Sequence, residues 1–213
     1  MAGMKRNIIS AIIISVFAAA MAIAAPQPAV VQKPGDWTLE VKYEQPLQIV
    51  LQDKNSQQRY WYVILNLTNK TGKDVDFYPQ FELVTDTLKV TPAIKGTSSV
   101  LFDKIKERHK NKYPFLQLPE NTTNKMLQGE DNSLDIAVIF PDFDPDAKLV
   151  NIFISGLSNE TVAVDNPNVK DKDGNPVKIY LRKTLQLTFS ISGDPKFRSD
   201  EKLKFVSKSW VMR

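Results

Sequence analysis

The chain of 213 residues has no cysteine and one histidine, His109. Without thiols there is no disulfide and no lipid attachment of the bacterial lipoprotein kind, so an exported form must be held together by its core. A lone histidine excludes two-His metal sites. Any Ser-His-Asp arrangement would have to be built on a residue within "KERHKNK", which reads better as the solvated end of a helix. GxSxG, phosphate-loop and dinucleotide fingerprints are missing as well. A hydrolase would therefore need paired loop carboxylates, whose pairing does not show in a sequence.

An excess of one charge is also lacking. Of the 28 Lys and Arg residues, Lys5 and Arg6 belong to a leader, which leaves 26 against 24 acidic residues. So balanced a charge gives nucleic-acid binding no support. The basic run "KIKERHKNK" at 104–112 is interrupted by Glu107 and spreads around a helix as a solvated face.

What is present begins with "MAGMKRNIISAIIISVFAAAMAIAAPQ": a basic start, an uncharged apolar run from Ile8 to Ala25, and small residues at Ala22 and Ala24. This is the layout of a secretory signal peptide over 1–24, with cleavage expected after Ala24 and no stable membrane insertion afterwards. The competing reading is an uncleaved anchor, because the run just reaches the ~18 residues that span a bilayer. Residues 25–35, "APQPAVVQKPG", read as a flexible tether. Residues 36–213 read as one domain, large enough to bury a core.

Within that domain, apolar alternation and turn residues predict strands at "WTLEVKY", "LQIVLQ", "RYWYVILNLT", "DVDFYPQFELV", "TLKVTP", "SLDIAVIF", "LVNIFIS", "VKIYLRKTLQLTFSIS" and "KLKFVSKSWVM". The inward row Val177, Ile179, Leu181, Leu185, Leu187, Phe189 and Ile191 is broken only by Lys183, which is expected to mark a bulge or a passage between sheets. One helix is expected over 98–110, capped by Ser98 or Ser99, with Val100, Leu101, Ile105 and Phe102 on its apolar face. The fold class is therefore all-β, a sandwich with one short helix between strands.

The stretch "YWYVILNLTNKTGKDVDFYPQFELV" is apolar or aromatic on both faces of its first strand. Read as a hairpin turning at "NKTGK", it sets Leu67 opposite Val75 and Leu65 opposite Phe77, with Trp61 in the core row. The same register sets Ile64 opposite Tyr78. Tyr60, Tyr62 and Tyr78 then share an outer face, to be covered by the helix or a loop, or to serve as an aromatic platform for a glycan or protein.

Two acidic loops raise the question of calcium: Asp142, Asp144 and Asp146 in "DFDPDA", and Asp171, Asp173 and Asn175 in "DKDGN". Neither carries the distant bidentate Glu of an EF-hand, and Asp-Gly is a common hairpin turn, so no metal ligand and no cofactor is assigned.

The stretch "RYWYVILNLTNKTGKDVDFYPQFELVTD" resembles the second and third strands of immunoglobulin-like domains in exported bacterial proteins. Beyond it, "LQGEDNSLDIAVIFPDFDP", "IFISGLSNET", "LRKTLQLTFSISGD" and the terminal "WVMR" resemble a family of exported proteins of planctomycete-type bacteria. The resemblance implies an immunoglobulin-like sandwich in a periplasmic or extracellular setting, and it transfers neither an activity nor catalytic residues. The expected function is a non-catalytic exported module that binds an envelope protein or glycan. The alternatives are a carboxylate-dependent hydrolase and a structural envelope component that associates through strand edges.

Overall fold

The stretch that is apolar on both faces becomes a strand that is covered on both sides. In a computed structural model, which describes residues 35–53, 56–193 and 201–213, it forms β3 (Ser56–Asn69). The expected signal peptide at 1–24 and the expected tether at 25–35, apart from Gly35, lie outside the described residues, and Gly35–Arg213 forms one unit. Two strands, β1 (Glu40–Tyr43) and β2 (Leu47–Asp53), pair in succession along one edge of β3, and β8 (Gly129–Pro141) pairs along the other.

The local hairpin expected at "NKTGK" does not form. Leu67 faces Val41 and Leu134 instead of Val75, and Leu65 faces Tyr43 and Ile136 instead of Phe77. The expected partner strand breaks in two. Its first part, β4 (Val75–Asp76), pairs with β7 (Lys125–Met126), and its second, β5 (Gln80–Thr85), starts after Pro79 and joins another sheet. Proline has no N–H to donate to a ladder, so the segment cannot run on as one paired strand. The distant β8 is also the better mate. Ile136, Val138 and Phe140 extend the Trp61 row, while Ala137 and Ile139 extend the Tyr62 row.

In the second sheet β11 (Pro176–Ser190) is paired over its first half by β10 (Thr161–Lys170). Over its second half it is paired by β9 (Leu149–Ser155) and β12 (Lys204–Met212). The sheet continues from β9 to β5 and then to β6 (Val90–Pro92). Inward rows of both sheets meet in one apolar cluster. Trp61, Val63, Leu65 and Leu67 pack with Phe81, Leu83, Ile152, Ile154, Leu185, Leu187 and Phe189. Period-two alternation puts them there, since every second side chain of a strand points to the same face.

Lys183, the break in the inward row, marks no bulge but stands where β11 passes from its pairing with β10, which ends at Arg182, to its pairing with β12, which starts at Lys183. The Lys183 ammonium lies 2.9 Å from a Glu160 carboxylate oxygen and 5.4 Å over the Trp210 ring. Both partners are largely buried, so the pair lets a cation occupy an inward position. The register shifts of β11 lie elsewhere, between Thr188 and Phe189 against β12, and between Asp165 and Lys170 on β10.

The helix forms as the sequence indicates, α1 (Ser99–His109), with the Ser98 hydroxyl accepting from the Leu101 N–H at 3.4 Å. It lies on the far face of the first sheet. Leu101 and Ile105, with Leu116 and Leu118 from the segment that follows, pack on Tyr62, Ile64, Ala137 and Ile139. Phe102 is only partly buried, and Val100, expected on the apolar face, points to solvent. Among the described residues the chain is mostly β-strand with this one α-helix, and no helix is long and apolar enough to cross a membrane.

Trp61 is 1% exposed, and its indole N–H donates to Asp142 at 2.8 Å. Trp61→Ala should therefore cost about 3–5 kcal/mol, read as a lower denaturant midpoint in a cooperative unfolding curve. An unchanged midpoint would contradict the burial of Trp61 between the two sheets.

Candidate functional site

The three tyrosines expected to share a face are not together. Tyr62 is 1% exposed beneath α1, its hydroxyl 2.9 Å from Nε2 of His109 and its ring edge-on to the imidazole. Tyr60 is half-buried against the same cluster. Tyr78 is 63% exposed between β4 and β5, two residues before the strand of the other sheet. The predicted patch depended on the β3–β4 hairpin, and without that pairing Tyr78 lies in the link to β5, its backbone beside Gly156 at the end of β9. The outer face of the first sheet is thus sealed by α1 and its following loop. At the rim of that seal Tyr113 donates to Glu44 at 2.5 Å, and Lys112 pairs with the same carboxylate.

The outer face of the second sheet is different in kind. It carries Gln80 and Glu82 of β5, Asn151, Phe153 and Ser155 of β9, and Thr184, Gln186 and Thr188 of β11. All of these alternate with the buried row. Its polar groups satisfy one another: the Gln186 amide and the Thr188 hydroxyl donate to Asn151 Oδ1 at 2.9 and 2.8 Å. No described helix covers this face.

Where the first half of β11 leaves that face, it runs out with β10 as a two-stranded arm. No third described strand pairs with the arm, and both of its faces are largely exposed. Lys178, Tyr180 and Arg182 lie on the arm's polar face, where Lys178 pairs with Asp165. Gly156 makes the turn out of β9 at φ +80°. A Cβ there would sit 2.4 Å from the Tyr78 carbonyl oxygen, so only glycine fits this approach.

In the angle between the arm and the sheet lies a cleft of about 510 Å³. Gln80, Glu82, Phe153 and Ser155 form its floor together with the buried Thr184, and Tyr180, Arg182 and Arg213 stand at its side. Arg213 is fixed twice, with its guanidinium 2.7 Å from Glu82 and 4.2 Å from the Phe153 ring centre. Its backbone exchanges two hydrogen bonds with Arg182. The Arg182 guanidinium and the Tyr180 hydroxyl, by contrast, make no hydrogen bond or ion pair to a described residue. The cleft therefore presents free donors beside a fixed Arg–Glu pair, an amide and two hydroxyls, which is a binding inventory rather than a reacting one. Among the described residues Glu82 is the one carboxylate lining the cleft, and Arg213 pairs with it, so these residues form no carboxylate pair.

The acidic loops are occupied by protein donors. Asp142 takes the Trp61 indole and lies 3.5 Å from Arg59. Asp144 takes the Thr87 hydroxyl, the Asp146 N–H and the Lys89 ammonium, which together hold its carboxyl down to about 2. Asp171 accepts from the N–H groups of Asp173 and Asn175, the mark of a hairpin turn. Among the described residues no three acidic or histidine side chains form a metal cluster.

No family model, curated protein or solved structure matches the chain. Sequence reasoning missed this cleft because its residues come from four separated stretches. The only local signal was Tyr180–Arg182–Thr184 on the polar side of the clearest alternation in the chain.

The His109 imidazole is held below its ordinary value, first by burial against Tyr62 and then by the neighbouring Arg108, with Glu44 opposing. A depressed histidine favours its neutral form in the folded state, so the unfolded chain binds more protons below the unfolded value. Stability from this group should be complete above about pH 6.5 and fall as the pH drops through the lower folded value. Denaturant midpoints measured between about pH 7 and about pH 5 should decline. His109→Gln should flatten that decline, and an unchanged slope in the variant would remove His109 as its source.

Proposed function

We propose that the chain is a non-catalytic module, exported to the bacterial periplasm or exterior, that binds a protein or glycan of the envelope through the outer face of its second sheet. The observation that carries this reading is the open cleft beside the arm, whose Arg182 guanidinium has no partner among the described residues. A free guanidinium and an exposed tyrosine on the arm, facing the polar outer row of the sheet, are the composition of a recognition surface. The leader pattern and the resemblance to exported planctomycete-type proteins support the location. Two sheets that share one core, crossed by strands far apart in sequence, support an immunoglobulin-like sandwich as the scaffold. Against a hydrolase stand the His109 imidazole, which rests on a buried tyrosine and not on a serine or threonine hydroxyl, and a cleft lined by a single carboxylate among the described residues.

Co-sedimentation of the processed protein with native envelope fragments tests this reading, together with mass spectrometry of its N-terminus. Retention on the fragments and an N-terminus at Ala25 are expected. A protein that starts at Met1 and behaves as membrane-integral, or one that stays in the supernatant, would contradict it.

A further inference from the structure

The chemistry of the cleft narrows the ligand, and the narrowing rests on the reading of the chain as a binding module. We propose that the cleft binds a neutral, hydroxyl-rich glycan segment, with a sugar ring laid on Tyr180 and its hydroxyls bonded by Arg182, Gln80 and the Arg213–Glu82 pair.

Three observations point this way. First, donors and acceptors are interleaved. Arg182 and Arg213 donate only, Glu82 accepts only, the Gln80 amide and the Ser155 hydroxyl do both, and the Thr184 hydroxyl, which donates to the Arg182 carbonyl at 3.1 Å, is left to accept. Each sugar hydroxyl also donates and accepts, so it matches a mixed set, whereas a phosphate or carboxylate calls for donors alone and would face Glu82. Second, one of the two cations is already neutralised. Arg213 lies 2.7 Å from Glu82, so the field in the cleft is weaker than two arginines suggest.

Third, the aromatic groups suit stacking rather than anchoring. Phe153 is capped on one face by Arg213 at 4.2 Å and leaves no apolar hole for a protein side chain. Tyr180, 68% exposed at the rim, offers a flat ring with a polar tip to a ligand that is itself apolar on one face and polar at its edges. The volume of about 510 Å³ is that of an ordinary small-ligand cleft and accommodates a short oligosaccharide segment.

The test is an NMR titration of the labelled processed protein with cello-, malto- and chito-oligosaccharides, and with an acidic oligogalacturonide for contrast. At least one neutral oligosaccharide should shift the amides of Phe153, Ser155, Tyr180 and Arg182 saturably. Tyr180→Ser and Arg182→Ala, both at exposed positions, should weaken that binding by about tenfold or more without changing the melting temperature. Shifts confined to other surfaces, a response to the acidic oligomer alone, no response of the cleft to any sugar, or variants that bind like the parent would each overturn the proposal. A parent protein held on envelope fragments with a silent cleft would leave the module reading standing and remove only the glycan site. A parent not held on the fragments would count against the module reading, and the titration would still decide the cleft.

Discussion

The burial of β3 on both faces is the constraint on which the rest of the molecule depends. A strand with Trp61, Val63, Leu65 and Leu67 on one side and Tyr62 and Ile64 on the other cannot lie on a surface. One side requires a second sheet and the other requires a lid. The second sheet supplies the first, and α1 with Leu116 and Leu118 supplies the second. Both edges of β3 are taken as well, by β1 and β2 on one side and β8 on the other, so the strand has no free edge to misplace.

The chain has one described α-helix, and the apolar outer face of the first sheet takes it. The second sheet can stand without a helix because its outer row is mostly polar and internally hydrogen-bonded, as the Asn151, Gln186 and Thr188 group shows, and its Phe153 ring is covered by Arg213. Its openness follows from the composition of alternate positions in β5, β9 and β11. The arm then rises from this open face and encloses the cleft on one side. Recognition chemistry collects on the sheet that the core has left free. In this sense the glycan proposal is a consequence of how the apolar residues are distributed.

Local patterns of the sequence were legible where one segment decides its own structure. Ser98 followed by spaced apolar residues identified α1, and the alternation through Leu185, Leu187 and Phe189 identified the inner row of β11. Pairing was not legible. A turn-like "NKTGK" between two apolar runs suggests a hairpin, and although Pro79 argues against an unbroken partner strand, it does not point to the actual mate, residues 129–141, which are 60 or more positions further on. Nothing within the local stretch reveals that competitor. Thr161–Lys170 escaped detection as a strand because its alternation is short and weak, with Val162 and Val164 only partly buried, and Pro167 interrupts it. The cleft was illegible for the same reason as the pairing. It exists only once β5, β9, β11 and Arg213 are side by side.

Oxidative side-chain footprinting of the free protein tests the central asymmetry, a sealed face on one sheet and an open face on the other. The account predicts rapid modification of Tyr180 on the open side and protection of Tyr62 beneath the helix, lost only on unfolding. Equal reactivity of the two tyrosines under native conditions, or a protected Tyr180 with a reactive Tyr62, would contradict it.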